Sequence, residues 1–344
     1  MTHLYSAYGL TFESQVEIPG LVDVLPSETS FSTCAIQIVI GEPPDWICKS
    51  IREPGEAHFP GKSPIHRAPP NVLRLYLRDE GKLFHLVYPD GAQFAVDSQT
   101  RCVWGWFPAT LTLEDLATYL VGPVMGFILR QRGILALHAS CFAFMGNAFA
   151  LCGGPQSGKS TAAAALSLRS IPILCEDIAA LWECDSVFHV APGYRRINLW
   201  PDSASSLLGS CDELPRITPN WEKRFLPLEG AERPFENQAR PLSAIYLFAS
   251  REDNERAPRI ESITPQNALL LLVQNTYMNY LLEKSQRALE LDLLVRVLSG
   301  VAVRRLVPHV DPARIGVLCE LLEADARRAA MERGLEEFAT RTRP

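Results

Sequence analysis

The sequence predicts a mixed α/β protein with α+β character, built from a β-rich N-terminal domain, a central glycine-loop domain and a helical C-terminal tail. Three observations predict this class. Short strands with turn signals fill the N-terminal part, a strand, a glycine loop and a helix follow one another near residue 150, and apolar residues recur at helical spacing toward the end. The 344 residues are enough for about two domains. We place the boundaries at residues 1–110, 111–310 and 311–344.

The N-terminal domain is predicted to consist of short strands joined by turns. Pro89, Asp90 and Gly91 form a turn between the last two strands. The Pro-, Gly- and His-rich stretch at 52–71 is predicted to be a long surface loop, in which His58 and His66 are solvated rather than bound to a metal. The predicted strands are residues 35–40, 73–77, 84–88 and 93–97.

Helices are predicted on both sides of a group of buried strands. Thr112 and Asp115 approximate a capping box at the start of a helix over residues 112–132, which Pro123 kinks and Gly133 ends. Two buried strands around a Gly-Asn turn follow at 134–152, with more strand material at 171–175, 179–182, 188–190 and 242–248. Helices are predicted at 265–282, at 285–298 and from Asp311-Pro312 onward.

Composition excludes several classes of protein. A formal net charge of -6 argues against nonspecific nucleic-acid binding, which requires a basic surface. The N-terminus lacks the pattern of a secretion signal and there is no span of about 20 apolar residues, so no membrane partner is expected. Nine cysteines without a Cys-x-x-Cys pair indicate neither a zinc ribbon nor a redox pair, and the expected location is a reducing cytoplasm.

The most informative motif is the phosphate-cradling pattern Gly-x-x-x-x-Gly-Lys-Ser. An apolar strand leads into it and a helix rich in alanine leads out, so backbone N–H groups and a helix N-terminus can surround phosphates. Lys159 is predicted to reach the outer phosphates of a nucleoside triphosphate, and the Ser160 hydroxyl to ligate Mg²⁺. The alternative is a glycine-rich turn that binds nothing. The residues predicted to bind nucleotide are Gly153, Gly154, Pro155, Gln156, Ser157, Gly158, Lys159, Ser160 and Thr161.

Two acidic residues follow the next predicted strand. Glu176 and Asp177 can face the phosphates from the end of that strand, where one carboxylate holds Mg²⁺ and the other accepts a proton from an attacking hydroxyl. The alternative is a solvated turn. His138, on the strand before the glycine loop, is either a support for this site or a core residue.

A basic and aromatic cluster supplies further candidates. Arg195 and Arg196 can clamp phosphate oxygens or an acidic substrate, or they form an exposed pair with one arginine stacked on Tyr194 or Trp200. Lys223 and its neighbour Arg224 are interpreted as a surface pair.

Together these residues resemble the catalytic domain of HPr kinase/phosphorylase over roughly residues 130–250. The resemblance lies in Leu137-His138, the loop at 153–160 and the acidic pair Glu176-Asp177. The chain also resembles the HPr-kinase-related branch found in lasso-peptide and other modified-peptide gene clusters. That likeness lies in the segments 8–10, 132–140, 199–202 and 303–306.

The resemblance implies an HPr-kinase-like, PEP-carboxykinase-like fold and an ATP- and Mg²⁺-dependent serine kinase acting on a peptide or protein. It implies that Ser160 and Asp177 hold the metal and that Glu176 takes the place of the aspartate that acts as base. In the kinase that we expect, Lys159 with Arg196 offsets charge on the transferred phosphoryl group. The family's second signature, Glu-Ile-Arg-Gly-Leu-Gly, is not reproduced, and Arg196 is the nearest equivalent of its arginine. This absence disfavours phosphorylase activity and disfavours HPr as the substrate. The resemblance to the modified-peptide branch implies instead a precursor peptide that is phosphorylated at a C-terminal serine. HPr kinases are hexamers, so a homo-oligomer is an expectation.

Two other functions stay open at the level of sequence. One is a nucleotide-binding regulator or scaffold without transferase activity, and the other is a small-molecule kinase or carboxykinase-like enzyme. Eukaryotic-type kinases are disfavoured because no His-Arg-Asp or Asp-Phe-Gly element occurs. Transporter-type ATPases are disfavoured because the Leu-Ser-Gly-Gly-Gln signature is absent.

Overall fold

The computed structural model describes residues 1–22, 35–52, 74–78 and 82–341. Apart from Arg52, the predicted loop at 52–71 with His58 and His66 lies outside the described residues. The chain forms two compact units. The first comprises Met1–Ile134, Ile217–Trp221 and Met278–Leu289, and the second comprises Leu135–Arg216, Glu222–Tyr277 and Glu290–Pro344.

The first unit contains a seven-stranded mixed sheet in the order β1-β2-β3-β7-β6-β5-β4. The four strands predicted from sequence are present as β3, β4, β5 and β6. The β1–β2 hairpin was not predicted. Its two turn residues, Tyr8 and Gly9, have φ angles of 60° and 78°, as a tight hairpin turn requires. The strands are β1 (His3–Ala7), β2 (Leu10–Ser14), β3 (Ile36–Ile40), β4 (Arg74–Arg78), β5 (Leu83–Val87), β6 (Gln93–Asp97) and β7 (Cys102–Trp106).

A helix that is interrupted by a π-helical turn follows this sheet and belongs to the first unit. The Thr112 side chain caps its start and Asp115 completes the predicted capping box. A π-helical turn contains Pro123, where the missing N–H and the proline ring interrupt the α-helical hydrogen bonds. Gly133 ends the helix at φ 73°. The helices of this unit are α1 (Asp45–Arg52), α2 (Leu113–Tyr119), the π turn 120–124 and α3 (Met125–Gln131).

The first unit therefore extends beyond the boundary predicted at residue 110. Two contacts explain why this helix clusters with the N-terminal sheet. The Tyr8 hydroxyl donates to the Val121 carbonyl at 2.7 Å, and the rings of Phe84 and Phe127 meet edge to face at 5.1 Å.

The second unit is built on an eight-stranded sheet in which β8 pairs with β9, β10 and β11, and β15 pairs with β9, β12 and β17. The turn between β8 and β9 is Met145-Gly146, with φ angles of 49° and 76°, so it lies one residue before the predicted Gly-Asn turn. The strands of this sheet are β8 (Leu135–Phe144), β9 (Asn147–Cys152), β10 (Ile173–Cys175), β11 (Ile178–Cys184), β12 (Val187–Val190), β15 (Arg240–Phe248), β16 (Arg259–Ser262) and β17 (Ala302–Val307). The strands β13 (Arg196–Leu199) and β14 (Arg224–Pro227) form a separate pair.

Helices cover both faces of this sheet. On one face the small side chains of α4 pack with Phe142, Phe149 and part of α8, and on the other face Leu272 and Leu294 cover the strands. The further helices are α4 (Lys159–Ser167), α5 (Pro201–Leu208), α6 (Pro265–Gln274), α7 (Lys284–Gly300) and α8 (Ile315–Arg341), with 3₁₀ turns at Asn279–Leu281 and Pro312–Arg314.

The helix predicted over 265–282 is shorter than expected. It ends at Gln274 because the chain turns away: Thr276 pairs with Leu137 of β8, and Met278 takes φ 54°. The predicted start at Asp311-Pro312 is confirmed, since the Asp311 side chain accepts from the Ala313 N–H at 2.9 Å. None of the helices in the described part of the chain combines the length and hydropathy needed to cross a membrane.

Candidate functional site

The predicted glycine loop joins β9 to α4 in a conformation that only certain residues allow. We use the name glycine loop for residues 153–161. Gln156 and Gly158 have φ angles of 61° and 107°, which turn successive peptide groups in alternate directions. A β-carbon on Gly153 would lie 2.9 Å from Cβ of Phe248, so the strand packs too closely here for a side chain. The loop ends at the first turn of α4, whose N–H groups are without helical partners.

Lys159 is folded back onto the glycine loop. Its ammonium donates to the carbonyl oxygens of Gly153 at 2.7 Å and Gly154 at 2.9 Å. The side chain is 6% exposed, and burial lowers the pKa of the ammonium. A buried cation is thus held against two carbonyl oxygens of the loop.

Glu176 lies directly against the helix that follows the loop. The Ser160 hydroxyl donates to Oε1 of Glu176 at 2.7 Å, and the Tyr194 hydroxyl donates to Oε2 at 3.0 Å. The Asn198 amide donates to the Tyr194 hydroxyl oxygen at 2.9 Å. Glu176 is only 4% exposed, and burial together with the neighbouring charge of Asp177 raises its pKa.

Asp177 has a different set of partners. It adopts φ 67°, and its side chain accepts from the Tyr277 hydroxyl at 2.9 Å and lies 3.3 Å from Nε2 of His138. Burial acts to raise the pKa of Asp177, but the contacts with His138 and Tyr277 outweigh it and lower the pKa to about 2. The side chains of His138 and Asp177 are both about one third exposed. His138 therefore adjoins the acidic pair rather than filling the core.

Sheet pairing explains why Asp177 and His138 meet. β10 and β11 both pair with β8, and Ile178, the residue after Asp177, lies opposite His138 in the antiparallel register. Tyr277 arrives from the segment after α6, where its N–H bonds the Ala136 carbonyl of the same strand.

The predicted arginine cluster is divided by the structure. Arg196 is 6% exposed, and its guanidinium lies 5.4 Å from the Tyr194 ring and 5.3 Å from the Phe225 ring. Arg195 instead lies over Phe235 at 5.4 Å. Arg196 thus stacks on the tyrosine that holds Glu176.

Four contributors were not predicted as site residues: Tyr194, Asn198, Lys223 and Tyr277. We interpreted Lys223 from the sequence as a surface residue. Its ammonium lies 5.0 Å from the Trp200 ring, and its positive charge contributes to lowering the pKa values of Lys159, Glu176 and Asp177. No spacing rule pointed to Tyr277. The one available signal was the polar residue at Asn198, which alternates with apolar residues along its strand.

Several buried polar atoms around this site have no partner. They are Oγ of Ser157, Nε of Arg196 and Oδ1 of Asn198. Buried polar atoms in folded proteins are nearly always hydrogen-bonded, so unpartnered groups here suit a polar ligand. In the described part of the chain, no cluster of three or more His, Cys, Asp and Glu side chains is placed to hold a metal by itself.

Comparison with known proteins gives a distant similarity. No protein-family model matches the chain, and no curated protein matches it. Among solved structures, the chain is similar to the HPr(Ser) kinase/phosphatase from Coxiella burnetii, with 12% identity and a TM-score of 0.27. The match covers 58% of this chain and 98% of that one. At this TM-score the likeness assigns neither a fold nor an activity.

Proposed function

We propose that the protein is a kinase that transfers the γ-phosphoryl group of ATP to a serine hydroxyl of a peptide or protein. The observation that carries this proposal is the hydrogen bond from Ser160 to Glu176, at 2.7 Å. It brings an acidic pair from the end of one strand against the glycine loop at the end of another. Phosphoryl transfer requires that juxtaposition of phosphate-binding amides, a cation and carboxylates.

The glycine loop supplies the phosphate site in this proposal. The loop N–H groups and the N-terminus of α4 surround the phosphates, and Lys159 exchanges its two carbonyl partners for phosphate oxygens. The unpartnered Ser157 hydroxyl adds a donor in the same loop.

The donors around Ser160 fit Mg²⁺. The Ser160 hydroxyl and the Glu176 carboxylate are oxygen donors, the kind that Mg²⁺ prefers, and their hydrogen bond at 2.7 Å keeps them side by side. Ser160 and Glu176 would therefore hold the ion, with Asp177 as the adjacent anion. When bound, Mg²⁺ supplies positive charge to the phosphate oxygens.

The exposure of the two carboxylates favours exchanging the roles predicted for them. The pKa values alone favour Glu176 as proton acceptor, because its pKa is the one that is raised. A base must first reach the hydroxyl. Glu176 is 4% exposed and both its oxygens are engaged, whereas Asp177 is 33% exposed. We therefore assign Asp177 as the acceptor of the proton, positioned by His138 and Tyr277.

The proposed reaction is an in-line transfer of the γ-phosphoryl group from ATP to the serine oxygen. The serine oxygen forms a bond to the γ-phosphorus while the bond from that phosphorus to the β,γ-bridging oxygen breaks, and ADP leaves with the electron pair. Asp177 takes the serine proton. Lys159 offsets the charge on the transferred group, and Arg196 supports Tyr194 behind Glu176.

The peptide or protein acceptor rests on sequence resemblance. The segments 132–140 and 199–202 resemble the branch found in modified-peptide gene clusters, which favours a precursor peptide. A cytoplasmic, homo-oligomeric enzyme belongs to the same proposal.

The proposal is tested by transfer of label from [γ-³²P]ATP to serine-containing peptides. Asp177→Asn is expected to lower the rate by about a hundredfold or more, since it removes the proton acceptor. Asp185→Asn is the matched control, because Asp185 is exposed in a turn at φ 50°, which asparagine also adopts. A wild-type rate in Asp177→Asn would contradict the assignment.

A further inference from the structure

A cavity opens beside the glycine loop, on the side of α4 that faces α5. It encloses about 200 Å³, and its wall includes Ser157 and Gly158 of the loop and Thr161 of α4. The hydroxyls of Thr161 and Ser203, both in the wall, are 3.3 Å apart. The cavity is therefore continuous with the proposed phosphate site.

The cavity and the acidic pair lie on different sides of α4. Ser160 is turned toward Glu176, whereas the next residue, Thr161, is turned toward Ser203 of α5. Successive residues of an α-helix are separated by about 100° around its axis. Neither Glu176 nor Asp177 lines the cavity.

The geometry of phosphoryl transfer relates these two sides. The attacking oxygen and the leaving oxygen lie on opposite sides of the γ-phosphorus. If the acceptor approaches beside Asp177, the remainder of the nucleotide extends away from Asp177. We infer that this cavity binds the nucleoside part, base and ribose, of the triphosphate, an inference that rests on the proposed kinase function.

The wall chemistry suits a nucleoside. Ala162, Phe248 and Leu318 give the cavity an apolar surface, which a flat heteroaromatic base can cover. A β-carbon built on Gly158 would lie 3.3 Å from Nη2 of Arg251. The Arg251 guanidinium therefore lies next to the glycine loop, and Arg251 also lines the cavity. In that place it can contact the phosphate nearest the ribose.

The charges around the cavity disfavour a second anionic ligand. Two carboxylates balance two guanidinium groups, and one of the latter, Arg314, already donates to the Ala257 carbonyl at 3.0 Å. Ribose hydroxyls and the N–H groups of a base can donate to carboxylates, whereas a free phosphate is repelled by them. The charged and titratable side chains in the wall are Asp202, Arg251, His309, Asp311 and Arg314.

The test compares the affinities for Mg-ATP and for Mg-tripolyphosphate, measured by calorimetry on the full chain. Ser206 is exposed on α5 and lines the cavity, so Ser206→Trp fills it without disturbing the core. Leu208, 40% exposed on the same helix, does not line it, and Leu208→Trp is the matched control. Ser206→Leu is a milder filling, and circular dichroism checks the fold of each variant.

We expect wild type to bind Mg-ATP more tightly than Mg-tripolyphosphate. Ser206→Trp should weaken Mg-ATP by about tenfold or more, Ser206→Leu by less, and both should change tripolyphosphate affinity by less than about twofold. Leu208→Trp should change neither affinity. Equal wild-type affinities for the two ligands, or wild-type ATP affinity in a folded Ser206→Trp, would overturn the nucleoside inference alone. If wild type bound neither Mg-ATP nor Mg-tripolyphosphate, the proposed function itself would be overturned.

Discussion

At the scale of single residues, the site depends on two adjacent carboxyls that differ in their surroundings. Glu176 is buried, and burial with the charge of Asp177 raises its pKa. Burial opposes the charge of Asp177 as well, but its contacts with His138 and Tyr277 lower its pKa to about 2. Sites that separate the pKa values of two neighbouring carboxyls can give them different chemical roles.

The raised pKa of Glu176 predicts a pH-dependent effect of Glu176→Gln on stability. Because folding raises this pKa, the folded state binds the proton more tightly than the unfolded state does. The Glu176 carboxyl therefore destabilises the fold increasingly as the pH rises above 4.5, the ordinary pKa of this group. The amide removes that effect while keeping the shape. Glu176→Gln should therefore have a higher Tm than wild type at pH 8, with a difference that shrinks toward pH 4.

Thermal unfolding across that pH range checks this prediction. Glu229→Gln, at an exposed position, is the control and should follow wild type at every pH. A lower Tm for Glu176→Gln throughout the range would show that the carboxylate stabilises the fold through its hydrogen bonds more than its burial destabilises it.

At the scale of elements, the connection from β9 to α4 places the phosphate site by backbone conformation. Two of its glycines have different requirements. Gly158 adopts φ 107°, whereas at Gly154 an added β-carbon would meet no atom within 4 Å. The loop thus contains a constrained glycine and, four residues before it, one with open space around it.

This difference predicts unequal effects of two alanine substitutions on the free energy of unfolding. Gly158→Ala should lower it by about 1–3 kcal/mol, because a side chain makes the left-handed conformation costly. Gly154→Ala should change it by less than about 0.5 kcal/mol. Urea denaturation measures both, and equal losses would mean that the loop relaxes to another conformation.

Local signals were sufficient for the elements whose geometry is set by near neighbours. The capping box at Thr112 and the end at Gly133 each depend on a few adjacent residues, and both are confirmed. At Pro123, where a kink was predicted, the α-helix is interrupted by a π-helical turn. The predicted helix end at residue 282 was wrong. The helix α6 ends at Gln274, because Thr276 pairs with Leu137 of a distant strand. The spacing of apolar residues reports local structure only, so it could not predict that pairing.

At the scale of the whole molecule, the candidate site lies within the second unit and is assembled from distant segments. Asp177 and Tyr277 are 100 residues apart in sequence and 2.9 Å apart in space. The glycine loop and the acidic pair were predictable because each is a local motif. Tyr194, Asn198, Lys223 and Tyr277 were not, because only the sheet and the β13–β14 pair bring them to the carboxyls.

The central claim is that the glycine loop binds the phosphates of a nucleoside triphosphate. Calorimetric titration of Mg-ATP into the full chain tests it most directly, with Lys159→Ala compared against the exposed control Lys49→Ala. Wild type and Lys49→Ala should bind with the same affinity, and Lys159→Ala should bind about tenfold more weakly or worse, because a buried charge-assisted contact is lost. Absence of binding heat in wild type, or equal affinity in Lys159→Ala, would contradict the claim.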